Sequence, residues 1–271
     1  MISPTASNQA VAFTPGGGRV GRLAEGAFDG LLADVAARRL STGRRIAHEV
    51  TEIEAPLCGL PVGTPVEFLV VPAEQLPSDI WPVLLAHRPV GILAEVRDGE
   101  VTSVEVATSE SPDARLADML RAGDPAAEAE AGMVRTVFAP IPRLVIAGGG
   151  PFAEALAAQG RLLGWQVAAE TRPEMVAGLA ASLSELDAIV VMGHDVETSS
   201  RCLLAALEGD AGYVGAVGSP AMQQARADWL AYRDVTDLSR VHGPAGLPLG
   251  GRSPAEVAVA IVAEILDERT D

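Results

Sequence analysis

The chain has 271 residues, of which 48% are hydrophobic, 21% charged and 4% aromatic, so we expect soluble globular domains with aliphatic cores. Its 20 basic and 36 acidic residues give a net charge of −16, which would repel nucleic acid and anionic lipid, and we expect neither as a partner. The two cysteines, Cys58 and Cys202, build no zinc-type spacing and no disulfide framework, so no metal site is predicted.

The expected compartment is the cytoplasm. Residues 1–10 lack the basic segment and apolar run of a secretory signal. No apolar stretch reaches the ~20 residues of a membrane-spanning helix.

Residues 1–107 are predicted to form a smaller, mostly-β α+β domain. A strand is expected at 66–71, between two prolines, and helices are expected at 29–40 and 80–86. Strands at 91–96 and 101–106 flank an Asp-Gly pair, which is typical of a hairpin turn. Residues 108–140 contain small and acidic residues and are predicted to be a linker with one short helix, between two domains.

Residues 141–271 alternate between buried strands and helices. Strands are expected at 144–147, 166–169, 188–192 and 213–217, with helices at 152–163, 174–181 and 198–207. A further helix is expected after Ser253, Pro254 and Glu256, which match a capping box. The alternation predicts a Rossmann-like parallel sheet with helices on both faces.

A glycine-rich turn follows the first strand of this region. Gly148, Gly149, Gly150 and Ala153 match G-x-G-x-x-A in its strand–turn–helix context, where backbone amides at a helix start bind a pyrophosphate. Glu170 lies 22 positions after Gly148, where an acid would meet a ribose hydroxyl. The alternative is a glycine turn that only packs the domain, and Pro151 removes one amide.

Two further groups follow strands. His194 is a candidate general acid or base oriented by Asp195, and the alternative is a loop histidine beside a helix cap. Gly218 and Ser219 offer a second helix start to an anion, and the alternative is a tight turn with an N-cap.

Several motifs occur in a family-specific order. After the glycine turn and the His-Asp pair, residues 213–219 read YVGAVGS. A tail motif follows, formed by Arg240, His242, Pro244, Gly246, Leu247, Gly250, Pro254, Glu256 and Ala258. This half resembles the XdhC/CoxI family, the accessory proteins of xanthine and carbon monoxide dehydrogenases. Residues 21–29 and 59–67 resemble its N-terminal motifs more weakly, with Ala27 and Val62 where the family has cysteines, and Cys58 lies nearby.

The resemblance implies an accessory protein that binds molybdenum cofactor, assists its sulfuration and inserts it into an apo-molybdenum hydroxylase. The implied partners are that hydroxylase and a cysteine desulfurase, and we expect a homodimer. The chain is then a cofactor-binding chaperone rather than a catalyst. The implied site holds phosphate at Gly148–Gly150, with His194, Asp195 and Ser219 at the reactive end and Arg240 and His242 as positive charges.

Three alternatives remain open from the sequence. The glycine turn and Glu170 would also suit an NAD(P)-binding oxidoreductase. The missing cysteines would suit a degenerate, non-catalytic partner of a cysteine-bearing relative, because a thiolate is the soft ligand and nucleophile of such a site. A purely structural assembly factor is the third alternative.

Overall fold

The computed structural model describes residues 10–14, 16, 18–21, 23–38, 40–108, 111–122 and 126–269. The segment read for a secretory signal lies almost wholly outside the described residues, as do parts of the predicted linker at 109–110 and 123–125. The chain folds into two compact units that divide between Ala139 and Pro140, with residues 86–88 grouped with the second. Within the described part, no helix is long and apolar enough to cross a membrane.

The first unit is built on antiparallel sheet. Its strands are β1 (Val11–Phe13), β2 (Arg19–Gly21), β3 (Arg44–Glu49), β4 (Pro65–Val70), β5 (Val90–Arg97), β6 (Glu100–Ala107), β7 (Ala126–Glu130) and β8 (Met133–Phe138). Its helices are α1 (Asp29–Ala37), α2 (Ala55–Cys58), α3 (Ile80–Leu85) and α4 (Ala114–Ala122). Strands β3 to β8 form one sheet in the order β4-β3-β6-β5-β8-β7, and β1 pairs with β2.

The hairpin expected from the Asp-Gly pair is present. Strands β5 and β6 pair in antiparallel register around Asp98 and Gly99. Both turn residues have positive φ, 51° and 79°, which is the backbone conformation that Asp-Gly supports in a two-residue hairpin.

The segment predicted as a linker contains two strands in addition to the expected short helix. It contains α4 and the antiparallel pair β7–β8, and β8 extends the sheet by pairing with β5. Leu116 and Leu120 of α4 pack against Val137 of β8 in a small core cluster. Six of the nine residues of α4 are apolar, and the four-residue spacing of Leu116 and Leu120 puts both side chains on the face that makes this contact.

The second unit is a parallel α/β domain. Its strands are β9 (Arg143–Ala147), β10 (Gln166–Glu170), β11 (Ala188–Val191), β12 (Tyr213–Ala216) and β13 (Val241–His242). Its helices are α5 (Pro151–Leu162), α6 (Pro173–Ala180), α7 (Val196–Glu208), α8 (Pro220–Ala231) and α9 (Pro254–Asp267). All strand pairs are parallel, in the order β10-β9-β11-β12-β13.

Two apolar clusters cover the two faces of this sheet. Helices α5 and α9 pack on one face, where Leu144 and Ile146 of β9 point. Helices α6, α7 and α8 pack on the other, where Val145 and Ala147 of β9 point. The buried strands are therefore apolar on both sides, and the predicted Rossmann-like sheet with helices on both faces is confirmed.

The strand order reverses direction beside β9. The chain passes from β9 outward to β10 through α5, then returns past β9 to β11 through α6 on the opposite face. In open parallel sheets such a switch point leaves a crevice at the carboxyl ends of the two strands, which is where ligands bind. Here the crevice lies between the turns after β9 and β11.

A buried carboxylate fixes the opposite, amino end of these strands. Asp187, which is 1% exposed, accepts hydrogen bonds from the backbone N–H of Arg143 at 2.7 Å and from its guanidinium at 2.6 Å. It also accepts from the amide of Ser184 at 2.8 Å. Burial raises the pKa of Asp187, but the bonds from Arg143 and Ser184 outweigh burial and hold the pKa below its ordinary value.

Replacing this carboxylate should destabilise the second unit. We expect Asp187→Asn to lower the free energy of unfolding by about 3–5 kcal/mol, because the Arg143 charge then loses its buried partner. A folded-state pKa below the unfolded value means that the contribution is complete above about pH 4 and is lost as the pH falls through the folded-state pKa. The difference in the free energy of unfolding between wild type and variant, measured with urea, should therefore be largest near neutral pH and should decrease in acid.

Asp228→Asn is the matched control. Asp228 is exposed on α8 and bonds only the Gln224 side chain, so this change should stay within about 0.5 kcal/mol of wild type. Equal losses in the two variants would show that the Asp187 contacts do not hold the strands.

Candidate functional site

The turn after β9 packs directly against the end of β11. Gly148 donates its amide hydrogen to the carbonyl of Glu170, at the end of β10, at 2.8 Å. A Cβ at Gly148 would lie 2.9 Å from the carbonyl oxygen of Met192 and 3.0 Å from the Met192 carbonyl carbon and Cβ. Glycine is therefore required here by contact with the backbone of the neighbouring strand.

Gly150 is glycine for a different reason. It is the N-cap of α5 with φ 87° and ψ −173°, a conformation that is essentially limited to glycine. A Cβ built on it meets nothing within 4 Å, so the space beside the turn is open.

The first amides of α5 face this open side. Pro151 has no N–H, and α5 has no side-chain cap. Among the described residues, no hydrogen-bond acceptor is found for the amides of Gly149, Gly150, Phe152 or Ala153. Unpaired amides at the positive end of a helix dipole form a binding site for an anion. The Ala153 side chain is 3% exposed and packs in the core, as the G-x-G-x-x-A pattern predicts.

Glu170 ends β10 on the other side of β9, and its carboxylate is engaged locally. Its Oε1 accepts from the amides of Thr171 at 2.8 Å and Arg172 at 3.0 Å, and its Oε2 pairs with the Arg172 guanidinium at 2.7 Å. The Arg172 side chain first, and then these amides, lower the pKa of Glu170 to about 2. The carboxylate is thus charged at neutral pH, but a ribose hydroxyl would have to share it with Arg172.

His194 and Asp195 lie at the crevice, in the turn after β11, and both are exposed. The Asp195 carboxylate accepts from the amide of Thr198 at 2.8 Å and is the N-cap of α7. Bonding to Thr198 lowers the pKa of Asp195. Within the described chain the His194 ring has no hydrogen-bond partner, so the structure places Asp195 in the capping role rather than in one that orients His194.

Gly218 and Ser219 follow β12, one strand further along the same edge. A Cβ at Gly218 would lie 3.0 Å from the Cγ of Met222, and the Ser219 hydroxyl accepts from the Met222 amide at 3.3 Å. This amide is therefore already capped by the protein, in contrast to the amides that open α5.

Arg240 does not lie at this site, and the prediction that it supplies positive charge there is wrong. Its guanidinium donates to the carbonyls of Leu207 at 3.1 Å, Gly209 at 3.0 Å and Ala211 at 2.9 Å. These carbonyls lie where α7 ends and leads into β12, so Arg240 caps a helix C-terminus at the amino edge of the sheet. The sequence shows that Arg240 belongs to the tail motif, but it does not show which edge of the sheet this residue faces.

His242 is also away from the glycine turn, in β13, which is three strands from β9. Its ring stacks on Tyr213, with 4.7 Å between ring centroids and 21° between planes. Its Nδ1 lies 3.6 Å from a Glu268 carboxylate oxygen. His242 thus contacts Tyr213 and Glu268 rather than the glycine turn, and its role as a positive charge in the site stays a prediction.

Tyr213 joins the 213–219 motif to the tail motif. Its hydroxyl donates to Glu264 at 2.5 Å, and the same carboxylate oxygen accepts from the amide of Gly246 at 2.7 Å. Burial, and then the bond to Glu264, raise the pKa of Tyr213 far above its ordinary range. The two motifs thus meet in a packing network that fixes the segment before α9.

Sequence reasoning missed Arg226 on α8. This side chain is 1% exposed and donates to the carbonyls of Gly193 at 2.8 Å and Val217 at 2.9 Å. The residue thus contacts the turns after both β11 and β12. Arg226 lies four positions before Leu230, which is also buried, and this helical spacing is the sequence signal that it points inward.

The family's cysteine positions lie in the first unit. Ala27 and Cys58 both pack against the cluster around Phe28, whereas Val62 is 59% exposed. The Cys58 sulfur is 3.9 Å from the Ala55 carbonyl, a weak local contact. Among the described residues, no group of three or more His, Cys, Asp or Glu side chains is placed to hold a metal ion.

Two surface cavities occur away from the glycine turn. One of about 420 Å³ lies against α6, α7 and α8 and includes Arg201 and Trp229. Another of about 260 Å³ is lined in part by Arg240 and Leu207. Neither is lined by a residue of the crevice, so the candidate site rests on backbone geometry rather than on a deep cavity.

The strand order, the switch point and the glycine turn define the second unit as a doubly wound, Rossmann-type domain. Residues 144–265 match the family described as the XdhC Rossmann domain. The resemblance stated for the C-terminal half is therefore confirmed.

Two solved structures are more distantly similar. A xanthine dehydrogenase of Bacillus halodurans is 18% identical, with 95% of this chain and 85% of that chain covered and a TM-score of 0.48. The NanR protein of Vibrio vulnificus, complexed with ManNAc-6P, is 15% identical, with 48% and 47% covered and a TM-score of 0.27. A comparison with curated proteins gives no match.

The two glycines of the turn should differ in what they contribute to stability. We expect Gly148→Ala to cost about 1–3 kcal/mol or more, because its methyl group presses on the Met192 backbone as well as straining its own. Gly150→Ala should cost about 1–3 kcal/mol from backbone strain alone. Chemical unfolding of both variants should rank Gly148→Ala as the less stable, and the reverse order would contradict the packing described for Met192.

The role of Asp195 can be separated into capping and charge. We expect Asp195→Ala to lose about 1 kcal/mol of stability, because the Thr198 amide loses its acceptor, whereas Asp195→Asn keeps an acceptor and should be nearly neutral. Thermal unfolding measures both changes. A loss as large in the Asn variant would show that the carboxylate charge, not the cap, is what the fold uses.

Proposed function

We propose that the second unit binds the phosphate of a nucleotide-type or pterin ligand in the crevice between β9 and β11, and that the protein is an accessory factor in the maturation of a molybdenum hydroxylase. The observation that carries the binding proposal is the row of unpaired amides at Gly149, Gly150, Phe152 and Ala153 beside open space. The match of residues 144–265 to the family described as the XdhC Rossmann domain supports the accessory role.

The start of α5 differs from those of α7, α8 and α9. Asp195, Ser219 and Ser253 cap those three helices with side-chain oxygens. The N-cap of α5 is Gly150, which offers no oxygen, so its amides stay available to an external acceptor. A phosphate oxygen supplies the missing acceptor and the negative charge that a helix N-terminus favours.

The family resemblance makes molybdenum cofactor the cargo that we propose for this crevice. The amides after Gly148 fit its phosphate, and the exposed His194 lies in the facing turn. The cofactor supplies the redox centre of the hydroxylase that receives it. Ala27 and Val62 carry no thiolate, so we propose no sulfur-transfer step on those two positions.

The proposed partners follow from the same resemblance. They are an apo-molybdenum hydroxylase and a cysteine desulfurase, with the accessory protein acting as a homodimer. NAD(P) is the competing ligand, because Glu170 stands at the end of β10 in the position of a ribose-binding acid. Its engagement with Arg172 favours the pterin over the dinucleotide.

The test uses a charge placed at the mouth of α5. Phe152 is 39% exposed at the second position of this helix. Phe152→Glu puts a carboxylate where it stabilises the helix dipole but repels a phosphate, and Phe152→Gln is its neutral counterpart. We expect protein purified from a cofactor-replete cytosol to carry near-stoichiometric pterin and molybdenum in the wild type and the Gln variant, and little in the Glu variant.

The other outcomes are equally specific. Pterin retained equally by the Glu variant would place the cargo elsewhere on the protein. An empty wild type that binds NAD(P) in a titration would replace cofactor delivery with the oxidoreductase alternative. A wild type that binds neither ligand, but still forms a complex with a cysteine-bearing relative, would mark a non-catalytic partner.

A further inference from the structure

Arg226 is a buried cation in a strongly acidic chain. Its side chain leaves α8 and is almost wholly enclosed, at 1% exposure. Placing a charge in the interior is costly unless other charges or many hydrogen bonds compensate it. The hydrogen-bond partners of this guanidinium therefore show whether its charge is compensated.

All partners of Arg226 are neutral. Its Nε donates to the Ser199 hydroxyl at 3.0 Å, and its Nη2 donates to the Gly193 carbonyl at 2.8 Å. Its Nη1 donates to the Val217 carbonyl at 2.9 Å and to the Gln223 side chain at 3.3 Å. In the part of the chain that the structure describes, no carboxylate forms an ion pair with it. Dipoles hold the guanidinium in place, but its positive charge is not neutralised.

The position of this charge is the carboxyl edge of the sheet. Gly193 directly precedes His194 in the turn after β11, and Val217 directly precedes Gly218 in the turn after β12. A Cβ on Gly218 would lie 3.4 Å from the Nη1 of Arg226. The turn after β9 contacts the end of β11 through Gly148 and Met192.

We propose that Arg226 is the positioning residue of the crevice: it ties the turns after β11 and β12 together and lends an uncompensated positive charge to an anionic, phosphate-bearing ligand bound there. The inference rests on the proposed function for the nature of the ligand. Its geometric half, the tying of the two turns, is independent of any ligand.

The charge of Arg226 can attract an anion, an effect that packing alone would not supply. A chain with a net charge of −16 repels anions at long range. The amides that open α5 provide partial charges only, and Arg226 adds a full charge whose field the low-dielectric interior screens weakly. An arginine used only for packing could pair with a carboxylate, as Arg143 does with Asp187 at the other edge of the sheet.

The test separates charge from hydrogen bonding by two substitutions in the full chain. Arg226→Lys keeps the charge but loses the planar fork, and Arg226→Gln keeps N–H donors but loses the charge. Arg201→Met, on the exposed surface of α7, is the control for the change in net charge. Each folded variant is titrated with inorganic pyrophosphate by calorimetry, and its backbone amides are followed by hydrogen exchange.

We expect the pyrophosphate dissociation constant to rise at least about tenfold in Arg226→Gln and by no more than about threefold in Arg226→Lys and Arg201→Met. Hydrogen exchange should quicken at residues 193–199 and 217–219 in both Arg226 variants, because neither spans both carbonyls. Equal losses of affinity in the Lys and Gln variants would overturn the role of the charge. Faster exchange spread evenly over the unit would overturn the positioning role.

Failure of the proposed function gives a different pattern. A wild type that does not bind pyrophosphate, with local quickening of exchange in both variants, rejects the phosphate-bearing ligand and the charge role but upholds the tying of the two turns. If Arg226→Gln does not fold, Arg226→Lys still tests both the charge role and the positioning role. A loss of affinity in it well beyond about threefold would contradict the charge role, and unchanged exchange would contradict the positioning role.

Discussion

The pairing of β9 with a strand on each side is the constraint on which the second unit depends. Its five residues pair in parallel register with β10 on one side, and the last four, which are buried, also pair with β11 on the other. Because the chain leaves β9 toward one face and returns past it on the other, the strand order reverses there and a crevice opens at its carboxyl end. The turn that follows must stay within contact distance of β11, which leaves no space for a side chain at Gly148.

The two edges of the sheet are opposite in their electrostatics. At the amino edge, arginines meet negative groups: Arg143 binds Asp187, and Arg240 caps the carbonyls where α7 ends. At the carboxyl edge, the N-termini of helices contribute positive partial charge, and the buried Arg226 bonds backbone carbonyls rather than a carboxylate. A chain that is strongly acidic overall thus has positive charge at one edge of this sheet, which supports the proposal of a phosphate-bearing ligand there.

The motifs on which the family resemblance rests have two structural roles. The glycine turn shapes the crevice and leaves amides unpaired. Tyr213 of the 213–219 motif and Gly246 of the tail motif instead share Glu264, and His242 stacks on Tyr213. These residues hold the segment before α9 against the sheet, so a motif that is specific to a family need not consist of ligand-binding residues.

The sequence by itself determined the elements whose signals are local. The Asp-Gly hairpin, the capping box at Ser253 and the strand–helix alternation were all readable, because turn chemistry, capping and apolar periodicity depend on neighbours along the chain. Only the tertiary structure decided which edge of the sheet each side chain faces. Strand order and direction set that placement: Arg240 lies at the amino edge, and Arg226 is buried against the turns after β11 and β12 at the carboxyl edge. The place of β8 in the predicted linker was also decided by the tertiary structure, since β8 joins the first sheet by pairing with β5, a strand distant along the chain.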